Sequence, residues 1–219
     1  MASQAVSIRD RRAPEERRAQ LLDAAGAVIA VRGFDGATVR DVAREANVST
    51  GLLHHYFGSF PDLLAEVFAR EAQVDMDRLG ADAAAIPDPL PRLDRLVARY
   101  APRADDPGWF IWFSAWSAAP RHPKLRRSAE HFHREWSSRF EAVLGAGALA
   151  GVFICPDPAG TTRRLLSLMD GLATQLVAIR SLEVAEVAHD IAIAVAAETG
   201  LTPEDFPEVS RIGAGPLPG

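Results

Sequence analysis

The residues best suited to act on another molecule lie in one short stretch, Trp109-Phe-Ile-Trp-Phe-Ser-Ala-Trp116, which holds three of the chain's four tryptophans. Trp109, Trp112, Phe113 and Trp116 stand at i, i+3, i+4 and i+7, so a helix would carry all four on one face. The fourth tryptophan, Trp136, follows Phe132 by one helical turn and offers a second aromatic stripe. Facing stripes of this kind serve as plain core or as the wall of an apolar pocket, and an indole face is the best aromatic partner for a ligand cation. The small molecule that such a wall favours is a cationic or amphipathic amine. Asp170 or Glu135 would supply its counter-charge only by pointing inward; the favoured reading is that Glu135 meets solvent and Asp170 a neighbouring helix. This is the chemistry of binding, not of catalysis. No local pattern of Ser, His and Asp marks a nucleophile. No Gly-rich phosphate loop follows a strand, and no cofactor is expected. His54-His55 and His131-Phe-His133 put the rings of each pair on different helix faces, so no metal site is expected either. Cys155 is the only cysteine, which rules out an internal disulfide and a Cys-based zinc cluster; beside Pro156 it reads as an inert loop thiol.

Helices must position these side chains, because the hydrophobic period is helical nearly everywhere and no alternating strand stands out. The fold class is all-α. Pro14 with Glu15 and Glu16 starts a first helix, with acidic groups at its positive end. Leu21, Leu22, Ala25, Val28 and Ile29 continue it until Gly33. Thr38 is a good N-cap for a short helix to about Ala46. Ser49 caps a second short helix that ends near Tyr56-Phe57, and Ser59 opens a longer one. Further helices are expected at about 90 to 101, 106 to 118, 121 to 145, 158 to 181 and 184 to 198, with prolines in the breaks. The tail from Thr202 is rich in Pro and Gly and reads as flexible.

The two short helices carry a specific pattern. Val39, Val42 and Ala43 form one apolar face, and Ala46, Val48 and Leu53 continue it across a turn. Asn47 holds the turn position, where the backbone must be left-handed; glycine suits it best and asparagine next. Two helices of about two turns each bury little alone and must pack on the first and fourth. This is the pattern of a helix-turn-helix, whose second helix enters the major groove.

From Glu15 to Leu64 the chain resembles the TetR family of one-component regulators. The resemblance is carried by Ala24-Ala25, Gly33-Phe34, Ala37-Thr38-Val39-Arg40-Asp41-Val42-Ala43, Val48-Ser49 and Leu53-His54-His55-Tyr56-Phe57. It implies double-stranded operator DNA as partner. By position, Thr38, Arg40, Ser49, Thr50, Gly51, Leu52, His54, His55 and Tyr56 would face that DNA. Arg40 would fork onto a guanine edge and Leu52 meet a thymine methyl. Thr38, Tyr56 and the arm with Arg9, Arg11 and Arg12 would meet phosphates or the minor groove. Phe60 departs from the pattern, standing where a lysine usually touches a phosphate. Losing that contact should weaken binding at all sequences alike.

The stretch from Trp109 to about Val177 resembles the C-terminal domain of the choline-responsive branch of that family. Trp112-Phe113-Ser114-Ala115-Trp116, Pro123 to Arg127 and Leu168 to Leu172 carry this likeness. It implies a small effector, with Trp109, Trp112, Phe113, Trp116, Phe132, Trp136 and Asp170 as the candidate contacts. Leu165, Leu168, Met169, Leu172, Leu176 and Ile179 form an apolar stripe on the penultimate helix, and Val184, Val187, Ile191 and Val195 form another on the last. Periodicity alone reads these equally as internal core. The resemblance implies that the two helices pair with their copies in a homodimer.

Bulk properties fit this reading. The net charge of −5 argues against coating nucleic acid by bulk electrostatics. Residues 1 to 60 nevertheless carry eight Arg against seven acidic residues, which permits DNA binding there. No run approaches the roughly 20 apolar residues of a membrane span. The arginine-rich start lacks a secretory apolar segment, so a reducing cytoplasm is expected. The expected division is residues 1–57 for DNA, 58–201 for effector and dimerisation, and 202–219 as tail. The expectation is a repressor released by its effector. An activator or ligand-independent binder of the same fold, or a helical small-molecule binder or enzyme without DNA binding, are the alternatives.

Overall fold

The computed structural model describes residues 14–104 and 107–212. Arg9, Arg11, Arg12 and the end of the tail lie outside the described residues. Helix α1 spans Pro14–Gly36 and buries Leu21, Leu22, Ala25 and Ile29. Gly33 interrupts it at φ 69°, a conformation that strains any L side chain. A β-carbon there would also sit 3.3 Å from the hydroxyl of Ser114. The head is completed by α2, Val39–Glu45, and α3, Thr50–Phe57.

Helix α4, Phe60–Ala84, joins the head to the body and lies along α7, Pro123–Leu149. Between them in sequence come α5, Pro89–Tyr100, and α6, Pro107–Ala118; α6 packs across α1 as well as against α4 and α7. Helices α8, Pro158–Ala173, and α9, Val184–Thr199, close the far side. One apolar core runs through head and body, and Phe34, Phe68 and Phe140 are buried at its centre. Among the described residues there is no strand. None of their helices is long and apolar enough to cross a membrane.

Three expectations change. The helix expected at 158 to 181 widens into a π-helical turn over Thr174–Ile179 and ends at Arg180 in the left-handed region, φ 59°. The tail is not loose through its described part. A turn at Pro203–Asp205 and a short α10, Pro207–Ser210, bury Phe206, Val209 and Ile212 against the body. The buried carboxylate of Asp94 accepts the N–H groups of Glu208 and Val209 at 2.9 and 3.1 Å, capping α10. Its prolines start turns, where a missing N–H costs nothing, and its apolar residues recur every three positions.

The third change concerns the dimerisation stripe. Leu165, Met169, Leu172, Leu176, Val187, Ile191 and Val195 are buried within the single chain. They therefore form its core. Leu168 and Ile179 alone of that set are exposed, at 36% and 63%. The hydrophobic period picks out the face that folding buries: α8 spends it on α7 and α9, and α9 spends it on α8, α10 and the turn at Pro203–Asp205.

Candidate functional site

Local hydrogen bonding builds the head. Thr38 accepts the N–H of Asp41 at 3.2 Å and donates its hydroxyl to the Asp41 carboxylate at 2.6 Å. Arg44 pairs with the same carboxylate at 2.9 Å. The Thr38 hydroxyl, with Arg32 and Arg44 behind it, holds the Asp41 carboxyl below its ordinary value. Asn47 takes φ 52°, and Val48 closes the turn with its N–H on the Ala43 carbonyl at 2.9 Å. Ser49 then caps α3 by accepting the N–H of Leu52 at 3.3 Å.

The result is a short helix with two unlike sides. Leu53 and Phe57 are buried, and the Arg18 guanidinium stands over the Phe57 ring at 5.0 Å. Thr50, Gly51, His54 and His55 are exposed, as are Thr38, Arg40 and Ser49, and Leu52 and Tyr56 are half-buried. His54 donates from Nδ1 to the Gly58 carbonyl at 3.3 Å, which leaves Nε2 as the accepting nitrogen of the neutral ring. A donor and acceptor surface on an eight-residue helix, with its inner side fixed, suits reading base edges in a groove. Phe60 begins α4 half-buried against the core, so it offers no phosphate contact.

The second site is a cavity of about 190 Å3 in the body. Trp109, Trp112 and Trp116 of α6 and Trp136 of α7 wall it, with Tyr100 of α5. Tyr100 meets Trp136 and Trp109 edge-on, with centroids 4.7 and 5.6 Å apart. Trp112 and Trp116 lie 5.6 Å apart. Arg99, Arg103, Asp75 and His133 add polar groups to the same lining. The spacing thus brings Trp109, Trp112, Trp116 and Trp136 together around one space.

Three other candidates sit behind that wall. Phe113 is wedged beside Trp109 and Trp116, at 5.6 and 5.9 Å. Phe132 packs on Phe68 at 6.1 Å. Asp170 accepts the Tyr100 hydroxyl at 2.7 Å, so it fixes a wall residue and is not itself part of the lining. Burial raises the carboxyl of Asp170, and the Tyr100 hydrogen bond partly offsets this. Burial, with the charge of Asp170, lifts the Tyr100 hydroxyl well above its usual range, so it remains a donor. Glu135 is exposed. Sequence reasoning missed Arg99, Tyr100, Arg103, Asp75 and His133. Tyr100 alone left a signal there, since it extends the apolar face Leu93, Leu96, Val97 by one turn.

Rings and ion pairs connect cavity and head. Trp112 meets Phe68 edge-on at 4.9 Å, and Phe68 meets Phe34 at 6.3 Å. Arg121 pairs with Asp35, and Lys124 with Asp62. Ser114 abuts Gly33.

Comparison with known proteins matches both parts. Residues 21–67 match the family model for bacterial regulatory proteins of the tetR family, and residues 89–199 match that for the C-terminal part of BetI-type transcriptional repressors. The HTH-type transcriptional regulator BetI of Burkholderia mallei is 33% identical over 189 residues, covering 76% of this chain and 96% of that protein. A solved structure titled as that of a transcriptional regulator from Saccharomonospora viridis in complex with choline has TM-score 0.76 and 27% identity, covering 84% of this chain and 98% of that one. The regulator FadR from Bacillus subtilis in complex with stearoyl-CoA has TM-score 0.63, 18% identity and the same coverage, a likeness of fold alone.

Proposed function

This chain belongs to the TetR family of transcriptional regulators, and on that premise we propose that it is a homodimeric repressor released from a palindromic operator by a quaternary ammonium or related cationic amine. The observation that carries the ligand class is the indole wall. Trp109, Trp112, Trp116 and Trp136 line one cavity, where a cation gains about 0.5 to 1 kcal/mol per aromatic contact in water and about 2 kcal/mol or more once water is excluded. The choline in the Saccharomonospora viridis regulator supports the same class.

Residues 1–57 read DNA in this account, with Arg40 and the outer side of α3 on the bases. Residues from 58 onward bind effector and partner, and the docked stretch 202–212 belongs with them. The dimer forms through the outward side of α8 and α9, where Leu168, Gly171, Ile193 and Ala197 are exposed. Two heads held this way must span about 34 to 36 Å to enter successive major grooves. A ligand pressing on Trp112 acts on Phe68 and, through it, on α1 and α4, which carry the head. It lowers DNA affinity only by its preference for the mismatched spacing. Titration of the protein with choline should quench tryptophan fluorescence and release a fragment of its own upstream DNA. Quenching by neutral lipids or simple anions but not by amines removes the ligand class and leaves the DNA-binding assignment standing.

A further inference from the structure

A carboxylate stands directly behind the aromatic wall of the cavity. Resting on the reading that this wall takes a quaternary ammonium, we propose that Asp170 supplies the ligand's counter-charge without touching it, held to the wall by the Tyr100 hydroxyl. Tyr100 ends α5 and lines the cavity. Its hydroxyl donates to the carboxylate of Asp170, on α8, at 2.7 Å. Its ring meets Trp109, Trp136 and Phe140 edge-on, with centroids 5.6, 4.7 and 5.9 Å away. Three neighbouring rings and one hydrogen bond therefore fix where the carboxylate lies relative to the space the ligand enters.

A quaternary ammonium has no N–H to give a carboxylate, so electron-rich rings and charge at a distance are what recognise it. Asp170 supplies both. Its charge acts across the Tyr100 ring, in buried surroundings that screen poorly. A phenol that donates to a carboxylate is also polarised by it, which makes its ring a better partner for a cation. Burial keeps the Tyr100 hydroxyl well above its usual range, so the proton stays on the phenol and the charge on Asp170. Among the described residues Asp170 forms no ion pair, and beside Tyr100 it is His133 whose charge bears on it. Asp75, Arg99 and Arg103 share the lining and are each engaged by other groups.

Calorimetric titration of the full chain with choline and with its neutral tert-butyl analogue, at about pH 8.5 and so above the ordinary histidine range, tests this. The analogue keeps choline's shape and puts carbon in place of the charged nitrogen, so the ratio of the two affinities isolates the response to charge. What Asp75, Arg99 and Arg103 add to that ratio is common to the proteins compared and cancels. Opposite unit charges on the order of 10 Å apart, at an effective dielectric of about 20, attract enough to change an affinity about tenfold. Asp170→Asn should lower the choline-to-analogue ratio by about that factor, and Tyr100→Phe should lower it by less. A purely structural role would weaken both ligands alike and leave the ratio unmoved. An unmoved ratio in either variant overturns the inference while the quaternary ammonium reading survives. Choline that fails to bind the unmodified protein overturns both.

Discussion

Arg40 stands exposed near the start of α2, one residue before the carboxylate that Thr38 and Arg44 hold. If its guanidinium forks onto a guanine, Arg40→Ala should cost about 1 to 3 kcal/mol on the best operator and relax the base preference at one position per half-site. Binding measured across a set of single-base operator variants checks both effects. A uniform loss at every variant would place Arg40 on phosphate instead. Asp170 gives a second test at this scale. Burial raises its folded value above the ordinary 3.8, so the folded state holds its proton more firmly than the unfolded chain. The stability this adds is full below the unfolded value and is lost as pH rises through the folded one. Asp170→Asn should therefore flatten the decline of stability with rising pH. Tyr100→Phe removes the hydrogen bond that favours the ionised carboxylate; it should steepen the decline and cost about 1 to 3 kcal/mol near neutrality. Denaturant unfolding followed from below the ordinary aspartate value of 3.8 up to neutrality reads out both, and equal slopes in all three proteins would remove Asp170 as the cause.

Helices α8 and α9 carry the dimer in this account, but through residues that the folded chain leaves exposed rather than through the buried part of the apolar stripe. Leu168→Glu and Ile193→Glu place a carboxylate on the exposed side and should yield folded monomers. Leu172→Glu buries one inside the chain and should unfold it, since an unpaired buried carboxylate is strongly unfavourable. Sedimentation with circular dichroism separates the three, and intact dimers of both exposed-side variants would move the interface elsewhere. The same helices show how far sequence reaches. Helix-turn-helix signals are local: a threonine cap, an asparagine at the left-handed turn, a serine cap and a short apolar face, all within twenty residues. Each appears in the structure where its chemistry requires it. The aromatic stripe of α6 was legible for the same reason, because one helix carries it. The outer side of α8 and α9 was legible only at Leu168, which the apolar stripe includes; Gly171 and Ile193 lie off both stripes. Arg99, Arg103 and Asp75 were not legible, as they reach the cavity only because α4 and α5 pack beside α6 and α7. The tail misled by composition, since its prolines open short turns that seat Phe206 and Val209 in the core.

At the scale of the molecule, the account stands on the link between cavity and head. Trp112, Phe68 and Phe34 form a continuous run of edge-on rings from the ligand wall to α1. Packed rings of this kind transmit a displacement because interiors have little free space. The link also has a thermodynamic signature. A ligand that lowers DNA affinity by some factor must itself bind the DNA complex more weakly by the same factor, typically about 5-fold to 150-fold. The most direct measurement is fluorescence anisotropy of a labelled upstream operator, titrated with the protein in the absence and presence of a saturating trimethylammonium ligand. The account predicts weaker operator binding with ligand present, and an equal weakening of ligand binding when operator is saturating. Ligand that quenches the tryptophans yet leaves the operator isotherm unmoved would contradict it.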